Sequence, residues 1–116
     1  MPAGVRAWRK VLAGVVDSIA DEALQRRAWF GTGPEVWSPD EAFCQFFDDA
    51  AAEEFFERDD TGLTQQQLTA GKHLVKLMHQ LADETPNHID PAALIDDPRW
   101  QKIRAAAARF HKLLQT

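Results

Sequence analysis

The sequence predicts an all-α protein with one domain over residues 1–116, folded as an antiparallel bundle of four main helices with one or two short extra helices. Apolar residues recur at intervals of three and four rather than two, which is the period of helices and not of strands. Ser, Thr and Asp residues stand where the apolar runs begin, as helix caps do. A chain of 116 residues, 45% of them hydrophobic, is long enough for a single core.

The first helix is predicted from about Ala3 to Trp29, because one apolar stripe continues through that range. The stripe comprises Val5, Trp8, Leu12, Val15, Val16, Ile19 and Ala23. Gly14 lies on the opposite face, where it weakens the helix by up to ~1 kcal/mol relative to Ala and allows a gentle bend or a close neighbour. Gly31, Gly33 and Pro34 then end the helix.

The second helix is predicted to begin at Ser38-Pro39-Asp40-Glu41. Ser38 is placed to accept from the backbone N–H three residues later, and Glu41 is placed to reach back to the N–H of Ser38. The apolar face continues through Phe43, Phe46, Phe47 and Ala50, but Phe55 and Phe56 fall out of phase with it. We therefore expect a break, or a new short helix, near residues 49–52.

A third helix is predicted from the capping-box pair Thr64 and Gln67 to about Glu84. Its apolar residues cover almost half of its circumference, so this helix is expected to be central. Gly71 lies inside the apolar arc, where the absence of a side chain allows a neighbouring element to approach closely.

Two Asp-Pro pairs predict the remaining elements, since each combines a cap with a first-turn proline. Asp90-Pro91 begins a single turn through Ile95, and Asp97-Pro98 begins the last helix, which runs to about Leu114. The predicted core comprises Trp8, Leu12, Val15, Ile19, Phe43, Phe46, Phe47, Leu74, Val75, Met78, Trp100, Ile103 and Phe110.

The net charge of −5 arises from one segment. Residues 35–60 contain ten acidic residues and only one basic residue, Arg58, whereas the regions before and after this segment are each slightly basic. An acidic protein is a poor ligand for nucleic acids and anionic membranes, both of which require clustered cations. The charge therefore predicts a basic protein as partner, with no nucleic-acid or membrane binding.

Cysteine content and hydropathy predict a cytoplasmic protein. Cys44 has no second cysteine with which to form an internal disulfide, as is usual in a reducing compartment. We expect it to be a small buried apolar residue. No apolar run approaches the ~20 residues of a membrane span, and no signal-peptide pattern is present in the sequence.

A partner-binding surface is predicted where large apolar residues precede the acidic residues. Trp29, Phe30, Val36 and Trp37 surround the glycine-rich loop just before the acidic segment, and an aromatic anchor with a charged rim is typical of a protein interface. The alternative is that Trp29 and Trp37 only close the end of the core. The predicted binding residues are Trp29, Glu35, Trp37, Asp48, Asp49, Glu53 and Glu54.

No catalytic set, metal site or cofactor site is predicted. The acidic loop at Asp59-Asp60-Thr61-Gly62 fits neither register of a calcium-binding EF-hand, because position twelve is Leu68 or Gln67 instead of Glu. The four histidines have no metal-binding spacing. The competing hypothesis is a small metal-dependent enzyme whose carboxylates meet inside the bundle. Its candidate ligands are Glu35, Asp48, Asp49 and Glu53 with His79 or His111.

A homodimer is a further hypothesis. Arg99, Lys102, Arg109 and Lys112 on the last helix offer a positive surface for the acidic segment of a second copy. Such a contact is expected to be two-fold and self-complementary.

The string Gln25 to Ser38 (QRRAWFGTGPEVWS), together with Phe46-Phe47-Asp48-Asp49, resembles a segment of small bacterial all-helical proteins whose function is uncharacterised. In size, acidity and helical class, the chain also resembles immunity proteins, which neutralise a basic toxin by covering its active site or an adjacent surface. The Asp-x-x-Pro-Gly signature of the colicin nuclease immunity proteins does not occur in this sequence. The second resemblance therefore implies a kind of function but no particular functional residue.

Overall fold

The structure, a computed structural model, describes residues 2–85 and 88–115. Every regular element in these two ranges is helical, so the predicted all-α class is confirmed. The helices are α1 (Ala3–Ala20), α2 (Glu22–Trp29), α3 (Pro39–Cys44), α4 (Ala52–Glu57), α5 (Gln65–Glu84), α6 (Pro91–Leu94) and α7 (Pro98–Leu114). A single π-helical turn, Gln45–Asp49, continues directly from α3 and is called the π segment below.

The prediction of a single helix from Ala3 to Trp29 is wrong, because the helix is interrupted at Asp21. The backbone of Asp21 is extended, and its carboxylate accepts from the N–H of Leu24 at 3.0 Å. Asp21 thus caps a new helix, which is the usual role of this residue type at a helix start. Gly14 is exposed in uninterrupted helix, and a methyl group added there would have no neighbour within 4 Å.

The second predicted helix begins where expected and breaks where expected. The Ser38 hydroxyl accepts from the N–H of Glu41 at 3.2 Å, and helical structure continues through the π segment. Ala51 then adopts a left-handed conformation (φ 44°) and α4 begins. This change of direction allows Phe55 and Phe56, which were out of phase, to be buried.

Helix α5 has the predicted bounds and the predicted capping box between Thr64 and Gln67. The prediction for Gly71 is also confirmed, since the ring of Phe56 from α4 lies against it. A Cβ atom at position 71 would be 2.5 Å from Cζ of Phe56. Helix α4 is therefore held directly on the surface of α5.

Helix α7 packs against both α5 and α1. The amide of Gln67, at the start of α5, donates to the carbonyl of Leu113 at 2.8 Å, while Glu84, at the end of α5, pairs with Arg99. Helices α5 and α7 therefore run in opposite directions. Helices α1 and α7 are also antiparallel, because Arg104 near the start of α7 pairs with Glu22 just after α1. Asp90 and Asp97 cap α6 and α7 as predicted.

Most of the predicted core is buried, but four of its residues are only half-buried at the edge: Trp8, Val15, Phe47 and Val75. The indole N–H of Trp8 donates to the carbonyl of Ala50, which keeps that ring at the boundary between α1 and the π segment. Cys44, expected to be buried, is exposed. Within the described ranges no helix combines the length and hydropathy needed to span a bilayer.

Candidate functional site

The acidic segment, residues 35–60, covers the loop before α3, α3 itself, the π segment, α4 and the turn that follows. Several of its carboxylates have partners within the protein. Arg27 pairs with Glu35 at 3.0 Å and lowers the pKa of that carboxyl. Arg58 likewise pairs with Asp60 at 2.6 Å and lowers its pKa, and His88 lies 2.6 Å from Asp40.

Six carboxylates of the segment have no such partner among the described residues: Glu41, Asp48, Asp49, Glu54, Glu57 and Asp59. Four of the six lie on the π segment and α4. Asp48 and Asp49 on the π segment and Glu54 and Glu57 on α4 are exposed. Among the residues that the structure describes, no cation lies within ion-pair distance of any of the four. We refer to Asp48, Asp49, Glu54 and Glu57 as the acidic surface. It carries four negative charges that the fold itself does not neutralise, and the sequence prediction included only three of these residues.

Aromatic contacts fix the backbone that carries the acidic surface. The imidazole of His79, from α5, lies 4.5 Å from the ring of Phe47, and its Nε2 contacts the carboxylate of Glu53. On the other side, Trp8 from α1 meets Phe55 edge-on at 5.2 Å. The π segment and α4 are thus attached to both α1 and α5. The predicted site residue Glu53 serves this attachment, so less of its charge is open to a partner.

The two predicted aromatic anchors, Trp29 and Trp37, both pack within the protein but are buried to different extents. Trp29 is 8% exposed and packs against Trp100 and Trp37 at 5.5 and 5.8 Å. Little of its ring is open to a partner. Trp37 is half-buried, and its indole N–H donates to Oε1 of Gln45 at 3.0 Å. This hydrogen bond attaches the loop before α3 to the start of the π segment.

Phe30 and Val36 supply the exposed apolar surface of that loop. Phe30 is 44% exposed and Val36 is 93% exposed. Gly31, in a left-handed conformation (φ 69°), turns the chain immediately after Phe30. All four residues are large and apolar, so the sequence alone does not show that Phe30 and Val36 are exposed and that Trp29 and Trp37 are packed. Only the packing of the two indoles against Trp100 and Gln45 shows which of the four remain outside.

The ligands required by a carboxylate metal site do not converge. Glu35 is paired with Arg27 and Glu53 with His79, while His111 lies 3.8 Å from Asp17. Residues 2–85 and 88–115 contain no group of three or more potential ligands arranged to hold a metal ion.

The positive surface expected on α7 is also divided. Arg99 is occupied by Asp97 at 2.7 Å and by Glu84. Lys102 and Arg109 line a groove between α5 and α7, and Lys112 is exposed elsewhere on the helix. Arg99 is therefore a poor candidate for a contact with a second copy.

Comparisons of this chain with protein-family models, curated proteins and solved structures found no match.

Proposed function

We propose that the protein is a non-enzymatic binding module that uses its acidic segment, residues 35–60, to bind a basic protein. The most specific form of the proposal is an immunity protein that neutralises a basic toxin. The observation that carries the proposal is the acidic surface, whose four exposed carboxylates have no ion-pair partner in the described structure. By contrast, Glu35 and Asp60 of the same segment pair with arginines, and Glu53 contacts an imidazole.

Unpaired exposed carboxylates affect binding mainly through the rate of association. A field of one sign attracts an oppositely charged partner before contact and raises the association rate by about 10- to 1000-fold at low salt. The same field costs the free protein some stability through self-repulsion. Clustered negative charge therefore favours binding of a basic partner, although it lowers the stability of the free protein.

The loop before α3 supports the same proposal with apolar surface. Val36 and Phe30 lie open to solvent, and the hydrogen bond from Trp37 to Gln45 keeps their loop beside the π segment. Interfaces commonly combine a desolvated apolar centre with a polar, charged rim. In this proposal Val36 and Phe30 contribute to the centre and Asp48 and Asp49 to the rim.

The proposal is tested by capture of partners from the native host. Immobilised protein is incubated with host lysate at ionic strengths of about 0.01 M and about 1 M, which screen charges over roughly 30 and 3 Å. We expect basic proteins to be retained at low salt and released at high salt. The double variant Asp48→Lys, Glu54→Lys should lose them.

The matched control is Asp17→Lys, Asp83→Lys, which reverses two exposed carboxylates outside the segment. This variant has the same net charge as the test variant and should retain the partners. If both variants lose binding equally, net charge alone is responsible and the proposed surface is wrong. If neither loses it, binding does not depend on these carboxylates.

The immunity form of the proposal adds a genetic expectation. A toxin gene immediately upstream of this gene would favour it. Expression of the wild-type protein should then protect cells from that toxin, and the Asp48→Lys, Glu54→Lys variant should not.

We further propose a cytoplasmic location, which the single cysteine supports.

We also propose that the fold is an antiparallel four-helix bundle. In that description α1, α5 and α7 are three of the main helices, and α3 with the π segment and α4 forms the interrupted fourth.

A further inference from the structure

A shallow groove of about 620 Å³ lies between the start of α1 and the end of α7. Its apolar lining comes from Ala3, Ala7, Ala13 and Leu114. Three cationic residues, Arg6, Arg9 and Lys10, line the same groove. It therefore combines small apolar side chains with positive charge.

The three cations have no acidic partner within the protein. None of them forms an ion pair with another described residue, whereas five arginines and two histidines elsewhere in the described ranges do so at less than 3.2 Å. His111 also lines the groove, and its Nε2 lies 3.8 Å from the carboxylate of Asp17. The groove thus keeps about three positive charges open, close in number to the four negative charges of the acidic surface.

The groove and the acidic surface lie on opposite sides of α1. Trp8 faces the acidic side, since its indole donates to Ala50, between the π segment and α4. Arg6 and Lys10 are each two positions from Trp8 in the sequence. Residues two positions apart on an α-helix point about 160° away from each other around its axis. The protein therefore carries unpaired charges of opposite sign on opposite faces.

We propose that the groove between α1 and α7 receives the acidic surface of a second copy of this chain in a head-to-tail contact. Charge complementarity is the argument for this occupant, because the acidic surface matches the groove in approximate charge and is opposite to it in sign. The two patches face away from each other, so one two-fold contact cannot engage both. Head-to-tail contacts instead propagate into rings or chains.

This inference goes beyond the proposed function and has a consequence for it. A second copy would occupy the carboxylates that are proposed to bind the basic partner. Self-association and partner binding then compete for Asp48, Asp49 and Glu54. A tightly binding partner would therefore shift the equilibrium from the associated form to single copies bound to the partner.

Sedimentation equilibrium of the full chain over a range of concentrations tests the contact. At an ionic strength of about 0.01 M we expect the average mass to rise beyond twice the monomer mass of 13.1 kDa as concentration increases, and to return to the monomer mass at about 1 M. A monomer mass throughout, or a plateau at twice the monomer mass, would overturn the proposal.

Neutral variants identify the two faces. Arg6→Gln, Lys10→Gln removes charge from the groove, and Asp48→Asn, Asp49→Asn, Glu54→Gln removes it from the acidic surface. Each variant alone should remain monomeric. An equimolar mixture retains one functional groove and one functional acidic surface, so it should form a complex that ends at two copies.

The matched control is Lys102→Gln, Arg109→Gln, in the groove between α5 and α7, which removes the same charge from a different cationic groove. It should associate like the wild type. If this variant loses association and Arg6→Gln, Lys10→Gln keeps it, the contact lies in the groove between α5 and α7. That result would overturn the proposal. The groove variants leave the acidic surface intact, so they should still capture basic partners from lysate. Failure of that capture would count against the proposed function alone.

Discussion

The contact between Gly71 and Phe56 predicts opposite effects for the same substitution at two glycines. Gly71→Ala and Gly14→Ala each replace glycine inside a long helix, α5 or α1. Both gain about 1 kcal/mol of helix propensity. Only position 71 has a neighbour, since an added Cβ would lie 2.5 Å from Cζ and 2.6 Å from Cε1 of Phe56, whereas position 14 has none within 4 Å.

The packing cost at position 71 is at least as large as the helix gain. Carbon atoms in contact are separated by about 3.5 to 4.0 Å, so the Phe56 ring would have to move by about 1 Å. The ring is 3% exposed and is held between Phe55 and Phe110, whose centroids lie 5.9 and 5.5 Å away. Overpacking of this kind costs about 1 to 3 kcal/mol. We expect Gly71→Ala to destabilise the protein by up to about 2 kcal/mol, and Gly14→Ala to stabilise it by about 0.5 to 1 kcal/mol.

Urea unfolding followed by far-UV circular dichroism measures both free energies of unfolding. In a Phe56→Leu background, which removes the outer ring atoms, Gly71→Ala should become neutral or stabilising. Equal effects of the two alanine substitutions in the wild-type background would refute the assigned contact. So would an unchanged penalty for Gly71→Ala in the Phe56→Leu background.

Three further predictions concern the core, a buried polar group and a helix cap. Phe46→Ala and Leu74→Ala each remove a fully buried side chain and should lower the free energy of unfolding by about 2 to 5 kcal/mol; denaturation midpoints equal to that of the parent would show that the core is misassigned. Gln25→Ala should cost at least about 1 to 3 kcal/mol, because it leaves the buried indole N–H of Trp100, now bonded to Gln25 at 3.0 Å, without an acceptor; the exposed Gln101→Ala is its control and should change stability little. Asp97→Asn keeps the cap on the N–H of Arg99 but removes the charge. The hydrogen bond from the Arg99 side chain lowers the pKa of Asp97 below its ordinary 3.8, so its carboxylate stabilises the fold above that pH and this contribution is lost as the pH falls through the lowered pKa. The stability deficit of Asp97→Asn should therefore disappear in acid, and a deficit independent of pH would contradict this account.

The sequence predicted elements best where a local rule determines them. The capping box of Thr64 and Gln67, the Ser38 cap and the two Asp-Pro starts all form as expected, because each depends on residues within one helical turn. The break near Ala51 was also predictable, since Phe55 and Phe56 leave the apolar phase of the preceding helix. The geometry of that break, a π turn followed by a left-handed alanine, depends on contacts with Trp8 and His79 that are distant in sequence.

The errors come from alternatives of similar local energy. Asp21 is tolerated inside a helix and is also a good cap, so the apolar stripe on either side of it did not show the break. For Trp29 and Trp37 the sequence left two alternatives open, a contact with a partner or closure of the end of the core. Their burial is decided by Trp100 and Gln45, and the unpaired state of Glu57 is likewise visible only once the positions of the cations are known.

The rate of association with a basic protein captured from the native host tests the central claim most directly. Stopped-flow measurement at increasing salt compares the wild type with variants reversed at Asp48, Asp49, Glu54 and Glu57, the acidic surface. The account predicts a wild-type rate that falls steeply with ionic strength and a much lower, nearly salt-independent rate for the variants, because the steering field is lost. An association rate that is indifferent both to salt and to these charge reversals would contradict it.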